Sequence, residues 1–141
     1  MKFFSAIDYQ RQLIIASLDD FSPNAALANY RGGQDGGSCE VWRQAVVEFL
    51  CVNVKCGFIE ATHRPEIRAG YDVRGLEDLL LKGDKINNID PIVMWNVLYF
   101  NGTEKLIKIV EELRLRSWIC VNSNEESKDF VEILKNSYGL I

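Results

Sequence analysis

Between Ser38 and Ile59 the apolar positions recur with a helical period. Trp42, Ala45, Val46, Phe49 and Leu50 fall at i, i+3, i+4, i+7 and i+8 and form one broad stripe. Both ends carry stop signals. Ser38 suits the N-cap and Glu40 meets the positive end of the helix dipole, while Lys55 suits the negative end. Gly57 is placed for the left-handed residue that closes a helix, and Phe58 and Ile59 can fold back as its apolar contact. Val52, Val54 and Cys56 extend the apolar surface beyond the stripe, so the pattern predicts a central helix buried on more than one side.

The same periodicity predicts the other elements. Ser5 with Asp8 resembles a capping box, and Ile7, Ile14 and Leu18 then share one side of a helix over residues 6–18. Ser22 and Pro23 open a short helix to Asn29. Residues 58–62 suit a short strand, and Gly75 to Lys82 a short helix stopped by Gly83. Asp90 and Pro91 start a helix whose sequence, IVMWNVLYF, is apolar almost all round and so predicts burial on every side. Asn101 or Thr103 caps the next helix, with Leu106, Ile107, Val110 and Leu113 inward and Glu104 paired to Lys108 outside; so short a connection predicts an αα-hairpin or a sharp corner. Residues 114–121 alternate as a short strand does, though an extended linker fits them as well. Ser123 to Glu126 reads as a full capping box before Phe130, Ile133, Leu134 and Tyr138, with Gly139 as the stop. The fold class predicted is mainly α, α+β at most: one domain over residues 1–141, a helical bundle around a central buried helix, with room for a small two-stranded appendage.

Composition narrows the function classes. The chain has 141 residues, 48% apolar and 26% charged, with only three prolines, which excludes disorder and low complexity. Its net charge of -4 is spread over both halves without a lysine or arginine run, so the field that attracts phosphate backbones is missing. Asp8 and Arg11 interrupt any leader-like apolar core at the amino terminus, and no window reaches the length of a membrane span. Four cysteines without a CxxC, Cys39, Cys51, Cys56 and Cys120, predict free thiols and hence a reducing compartment, the cytoplasm.

Candidate chemistry is sparse. The glycine-rich RGGQDGGS before the central helix lacks the preceding strand, the lysine and the spacing of a phosphate loop, and predicts a mobile connector. The single histidine, His63, has no nucleophile signature near it, and the cysteines lack zinc-site spacing, so neither a catalytic pair nor a metal site is expected. Carboxylates adjacent in sequence, such as Glu77 and Asp78, suit solvated faces, and Trp42, Trp95 and Trp118 suit the core.

The helix VWRQAVVEFLCVNVKCGFI, the helix with Trp95 leading into NGTEKLIKIVEEL, and Trp118 before a capped last helix together resemble small bacterial immunity proteins of contact-dependent inhibition and polymorphic-toxin systems. The resemblance spans about residues 38–135. It implies a non-enzymatic cytoplasmic protein without cofactor that binds one cognate toxin domain, often a nuclease, and neutralises it stoichiometrically. Its partner surface is then expected among the carboxylates at helix ends and outer faces: Asp72, Glu77, Asp78, Glu111, Glu112, Glu125 and Glu126. Two other readings compete. One is a winged-helix-like DNA-binding regulator using Arg64, Arg68 and Arg74, and the other a hydrolase pairing His63 with a cysteine.

Overall fold

The computed structural model describes residues 1–140. Seven α-helices occur in it: α1 (Ala6–Leu18), α2 (Cys39–Lys55), α3 (Arg74–Lys82), α4 (Pro91–Val97), α5 (Glu104–Glu112), α6 (Trp118–Val121) and α7 (Lys128–Tyr138). Two short strands, β1 (Ile59–Ala61) and β2 (Phe100–Gly102), complete it. The fold is thus mainly α with a small antiparallel pair, as the sequence predicts.

Helix α2 is the axis. Trp42, Ala45, Val46, Phe49 and Leu50 are all buried, as their spacing requires, and Asn53 and Val54 continue the buried surface to the last turn. Gly57 adopts φ 79°, which brings the Phe58 amide to the Asn53 carbonyl at 2.9 Å and the Gly57 amide to Val54 at 3.1 Å. Those are the paired bonds of a Schellman cap, and Phe58 and Ile59 are driven into the core by it. The core is one cluster of side chains drawn from every helix except α6, around α2 and α1. Within it Tyr9 meets Phe49 edge to face at 4.9 Å, and Trp42 meets Trp95 at 5.8 Å.

The glycine-rich stretch is not an open connector. Residues Tyr30–Asp35 form a kinked 3-10 turn packed on α2, in which Arg31, Gly32 and Gly33 take φ of 54°, 83° and 69°. Gly33 is buried, and a Cβ there would lie 2.7 Å from the Ala28 carbonyl oxygen, so the turn closes only around glycine. The predicted helix over residues 23–29 shrinks to one 3-10 turn, Pro23–Ala25.

The strand pair has one predicted member and one unforeseen. Ile59 stands opposite Gly102 and Ala61 opposite Phe100, and Phe21 adds a bridge to Phe100 on the outer side. The second strand therefore occupies the junction for which the sequence predicts an αα-hairpin or a sharp corner, and Thr103 starts α5 directly behind it by accepting from the Leu106 amide at 3.3 Å. Residues 114–121 are no strand. Arg114 takes φ 58°, Arg116 reaches back to the Ser17 carbonyl at 2.9 Å and Glu111 at 2.8 Å, and Ser117 caps the single turn of α6.

A similar competition moves the start of α7. Gln10 of α1, almost fully buried, donates to the Glu125 carbonyl at 3.0 Å and accepts from the Ser127 amide at 2.7 Å, while Arg11 holds the Ser123 carbonyl. Pinned extended by these partners, residues 123–126 cannot form the predicted capping box, and Ser127 caps the helix instead. Two expectations of burial also fail. Helix α4 buries only Met94 and Trp95 and leaves Ile92, Val93 and Val97 in water, and Trp118 on α6 is half exposed. Among the described residues no helix is long and apolar enough to cross a membrane.

Candidate functional site

Burying one broad stripe of α2 leaves its opposite face to line a groove of about 790 Å³. Val47 and Cys51, at the i and i+4 spacing that puts side chains on one helix face, form the floor, and Val52 lines its flank. Leu80 and Leu81 of α3 and Pro91 and Trp95 of α4 form the opposite wall, and Met1 and Phe3 also line it. The lower wall is fixed by Trp95, whose indole N–H donates to the Leu80 carbonyl at 2.8 Å.

Charged groups sit around this apolar lining. Glu40, Glu48 and Glu77 bring three carboxylates and Arg43 and Lys55 two cations. Glu48 is already engaged: its two oxygens accept from the backbone amides of Lys2 and Phe3, each at 3.0 Å, which holds the amino-terminal residues against α2. The Arg43 guanidinium lies 4.5 Å from the centre of the Trp95 ring. Among the described residues neither Arg43 nor Lys55 makes an ion pair, since the carboxylate pairs go to Arg64, Lys82 and Arg116.

Burial, reinforced by the nearby Glu77 charge, pushes the Cys51 thiol up to about 12, so it stays protonated and weakly nucleophilic at neutral pH. Burial likewise raises the Cys56 thiol and the Tyr9 and Tyr138 hydroxyls. All four cysteines are free, with Cys39 exposed. Among the described residues no group of three or more His, Cys, Asp or Glu side chains is placed to hold a metal ion.

The seven predicted partner-binding carboxylates are all exposed and lie on three parts of the fold. Asp72, Glu77 and Asp78 cluster in sequence at the start of α3, where Glu77 lines the groove, Asp72 accepts from the Arg74 amide at 3.3 Å, and Asp78 pairs with Lys82 at 3.5 Å. Glu111 and Glu112 end α5, and Glu111 is tied to Arg116. Glu125 and Glu126 precede α7, and Glu126 lines a shallow cleft beside Lys128 and Lys135. Sequence reasoning missed the groove itself. Its one advance signal was the apolar character of Val52 beyond the core stripe.

Two of the three arginines of the central insertion, Arg64 and Arg68, bond within the fold, while Arg74 is exposed. Arg64 pairs with Asp84 at 2.8 Å and Glu66 at 3.4 Å, and the Arg68 Nε donates to the Pro65 carbonyl at 2.7 Å. Asp84 organises the turn between α3 and α4. It accepts from the Asn87 amide and side chain at 3.2 and 2.9 Å, and its backbone exchanges two 2.8 Å bonds with Ile89. The Asn87 side chain first, then Arg64 and the Asn87 amide, lower its carboxyl from 3.8 to about 2. A carboxylate depressed on folding stabilises above its unfolded value and loses that contribution as pH falls through its folded value. Asp84→Asn is therefore expected to unfold at lower urea than the parent at pH 6, with the gap closing between about pH 4 and pH 2. A gap that is constant across that range would rule out the ionised carboxylate as its source.

Comparison of the chain with protein-family models, curated proteins and solved structures found no match.

Proposed function

We propose that the protein acts by stoichiometric binding, as an immunity protein that occupies and neutralises a cognate toxin domain in the cytoplasm. The observation that carries this reading is the α2 groove: a large, open, mainly aliphatic concavity with carboxylates from α2 and α3 at its edge. Such a surface suits a partner segment that brings apolar side chains flanked by charges of both signs, where the mixed rim of Glu40, Glu77, Arg43 and Lys55 sets the register and the floor supplies residence time. The groove's inert thiol and the absence of a metal-binding cluster among the described residues support binding over hydrolysis. The engagement of Arg64 and Arg68 within the fold weighs against a DNA-reading wing.

The test is to read the neighbouring upstream frame for a large secreted protein with a variable carboxy-terminal domain and, with that domain, to carry out calorimetry and co-purification. A one-to-one complex is expected. Glu77→Lys should slow association and weaken binding about tenfold, with a smaller effect at high salt. Val47→Arg in the floor should weaken it about a hundredfold through faster dissociation. A complex indifferent to both changes would place the partner elsewhere, and no complex, together with failure to protect cells expressing that domain, would end the immunity reading.

A further inference from the structure

Arg11, Arg43 and Arg64 are the half-buried arginines among the described residues, and Arg43 alone is left without an acceptor. Arg11 donates to the Ser123 carbonyl at 3.2 Å, and Arg64 pairs with Asp84 at 2.8 Å. Arg43, on the groove side of α2, makes neither a hydrogen bond nor an ion pair among the described residues; the ion pairs go to Arg64, Lys82 and Arg116. Its guanidinium lies over the buried Trp95 ring, 4.5 Å from the centre. That contact engages the flat face of the group and leaves its N–H edge free.

No carboxylate of the groove supplies the missing acceptor. Glu48 already accepts from the Lys2 and Phe3 amides at 3.0 Å each, and Glu40 and Glu77 are exposed on the rim. From Arg43 the apolar floor runs through Val47 and Cys51 towards Lys55, a length of about 18 Å at the helical rise per residue. A volume of about 790 Å³ is that of a small-molecule site, in which apolar walls hold the body of a ligand and a few polar groups fix its head.

We infer that the α2 groove binds a free aliphatic monocarboxylate, its head in a two-bond fork with Arg43 and its hydrocarbon chain laid along Val47 and Cys51. The planar guanidinium matches a carboxylate, and Trp95 already holds it in place, so pairing costs little side-chain ordering. A cationic head would meet Arg43 above the apolar floor and find only exposed, solvated carboxylates. The site shares its floor with the toxin reading, so ligand and partner segment compete, but it needs no toxin.

Calorimetric titration of the full chain with dodecanoate, kept below its micelle concentration, tests the inference. Because no toxin domain enters the titration, its failure leaves the toxin reading untouched. One molecule per chain is expected, bound about tenfold more tightly than dodecanol, which has the same chain and no charge. Arg43→Met keeps the stem and loses the fork. It should weaken dodecanoate about twentyfold and leave dodecanol and the circular dichroism spectrum unchanged. Lys55→Gln, at an exposed position, should change the affinity by less than about twofold. A parent chain that binds no dodecanoate would overturn the inference, as would equal affinity for dodecanol, uptake of several molecules per chain, or an Arg43→Met protein that binds dodecanoate as the parent does.

Discussion

Replacing Trp42 with alanine is expected to lower the unfolding free energy by about 4 kcal/mol, measured by urea denaturation at pH 7. Three effects add. The side chain is 1% exposed, so its apolar area is almost wholly lost from the core, and the space left between α2 and α4 faces the Trp95 ring 5.8 Å away. Its indole N–H also donates to the buried Ala26 carbonyl at 2.9 Å, which alanine leaves without that donor. Trp42→Phe separates the terms: it keeps most of the packing, loses the donor, and should cost about 1 to 2 kcal/mol. If the alanine variant lost under 1 kcal/mol, the site would have collapsed around the change and α2 would not be the rigid axis described above.

The second large effect lies at the other end of α2. Asn53 is fully buried, donates to the Phe49 carbonyl at 2.8 Å and accepts from the Tyr138 hydroxyl, so one side chain ties the last turn of α2 to the end of α7. Asn53→Ala is expected to cost about 3 kcal/mol, since it opens a cavity and strands a covered hydroxyl, and Tyr138→Phe about 1.5 kcal/mol. The double variant should cost less than the sum, by about 1 kcal/mol, because each single change removes the same bond. Strict additivity in denaturant melts would mean that the two side chains do not act together.

What the sequence disclosed follows the range of each interaction. The α2 stripe, its glycine stop and the cap at Thr103 depend on neighbours within one or two turns, and all appear where the spacing puts them. Features decided by distant partners were not visible. The capping box at Ser123 is sound local chemistry, yet Gln10, more than a hundred positions away, holds the Glu125 carbonyl and the Ser127 amide, while the Ser123 amide goes to Cys120 and its hydroxyl to the Glu125 amide. The alternation over residues 114–121 resembled a strand, but the edge it would have joined is taken by Phe100–Gly102. In α4 the apolar run was read correctly as composition and wrongly as burial, because hydropathy does not say which face of a helix finds a neighbour. Of the candidate carboxylates only Glu77 reaches the groove. The groove is an arrangement of three helices, so no linear pattern spells it out.

The strand pair, three residues on each side, has a bearing on how quickly the chain finds its fold. It joins segments about 40 positions apart, and the Phe21 bridge to Phe100 spans about 80, while the helices around them are closed by contacts within a few residues. Loop closure over such spans must be met before those bonds return anything, so the helices can flicker into place early while the native register waits for three remote segments to meet. The strand pair thus adds remote contacts to a chain whose helices close locally, and its register is set last.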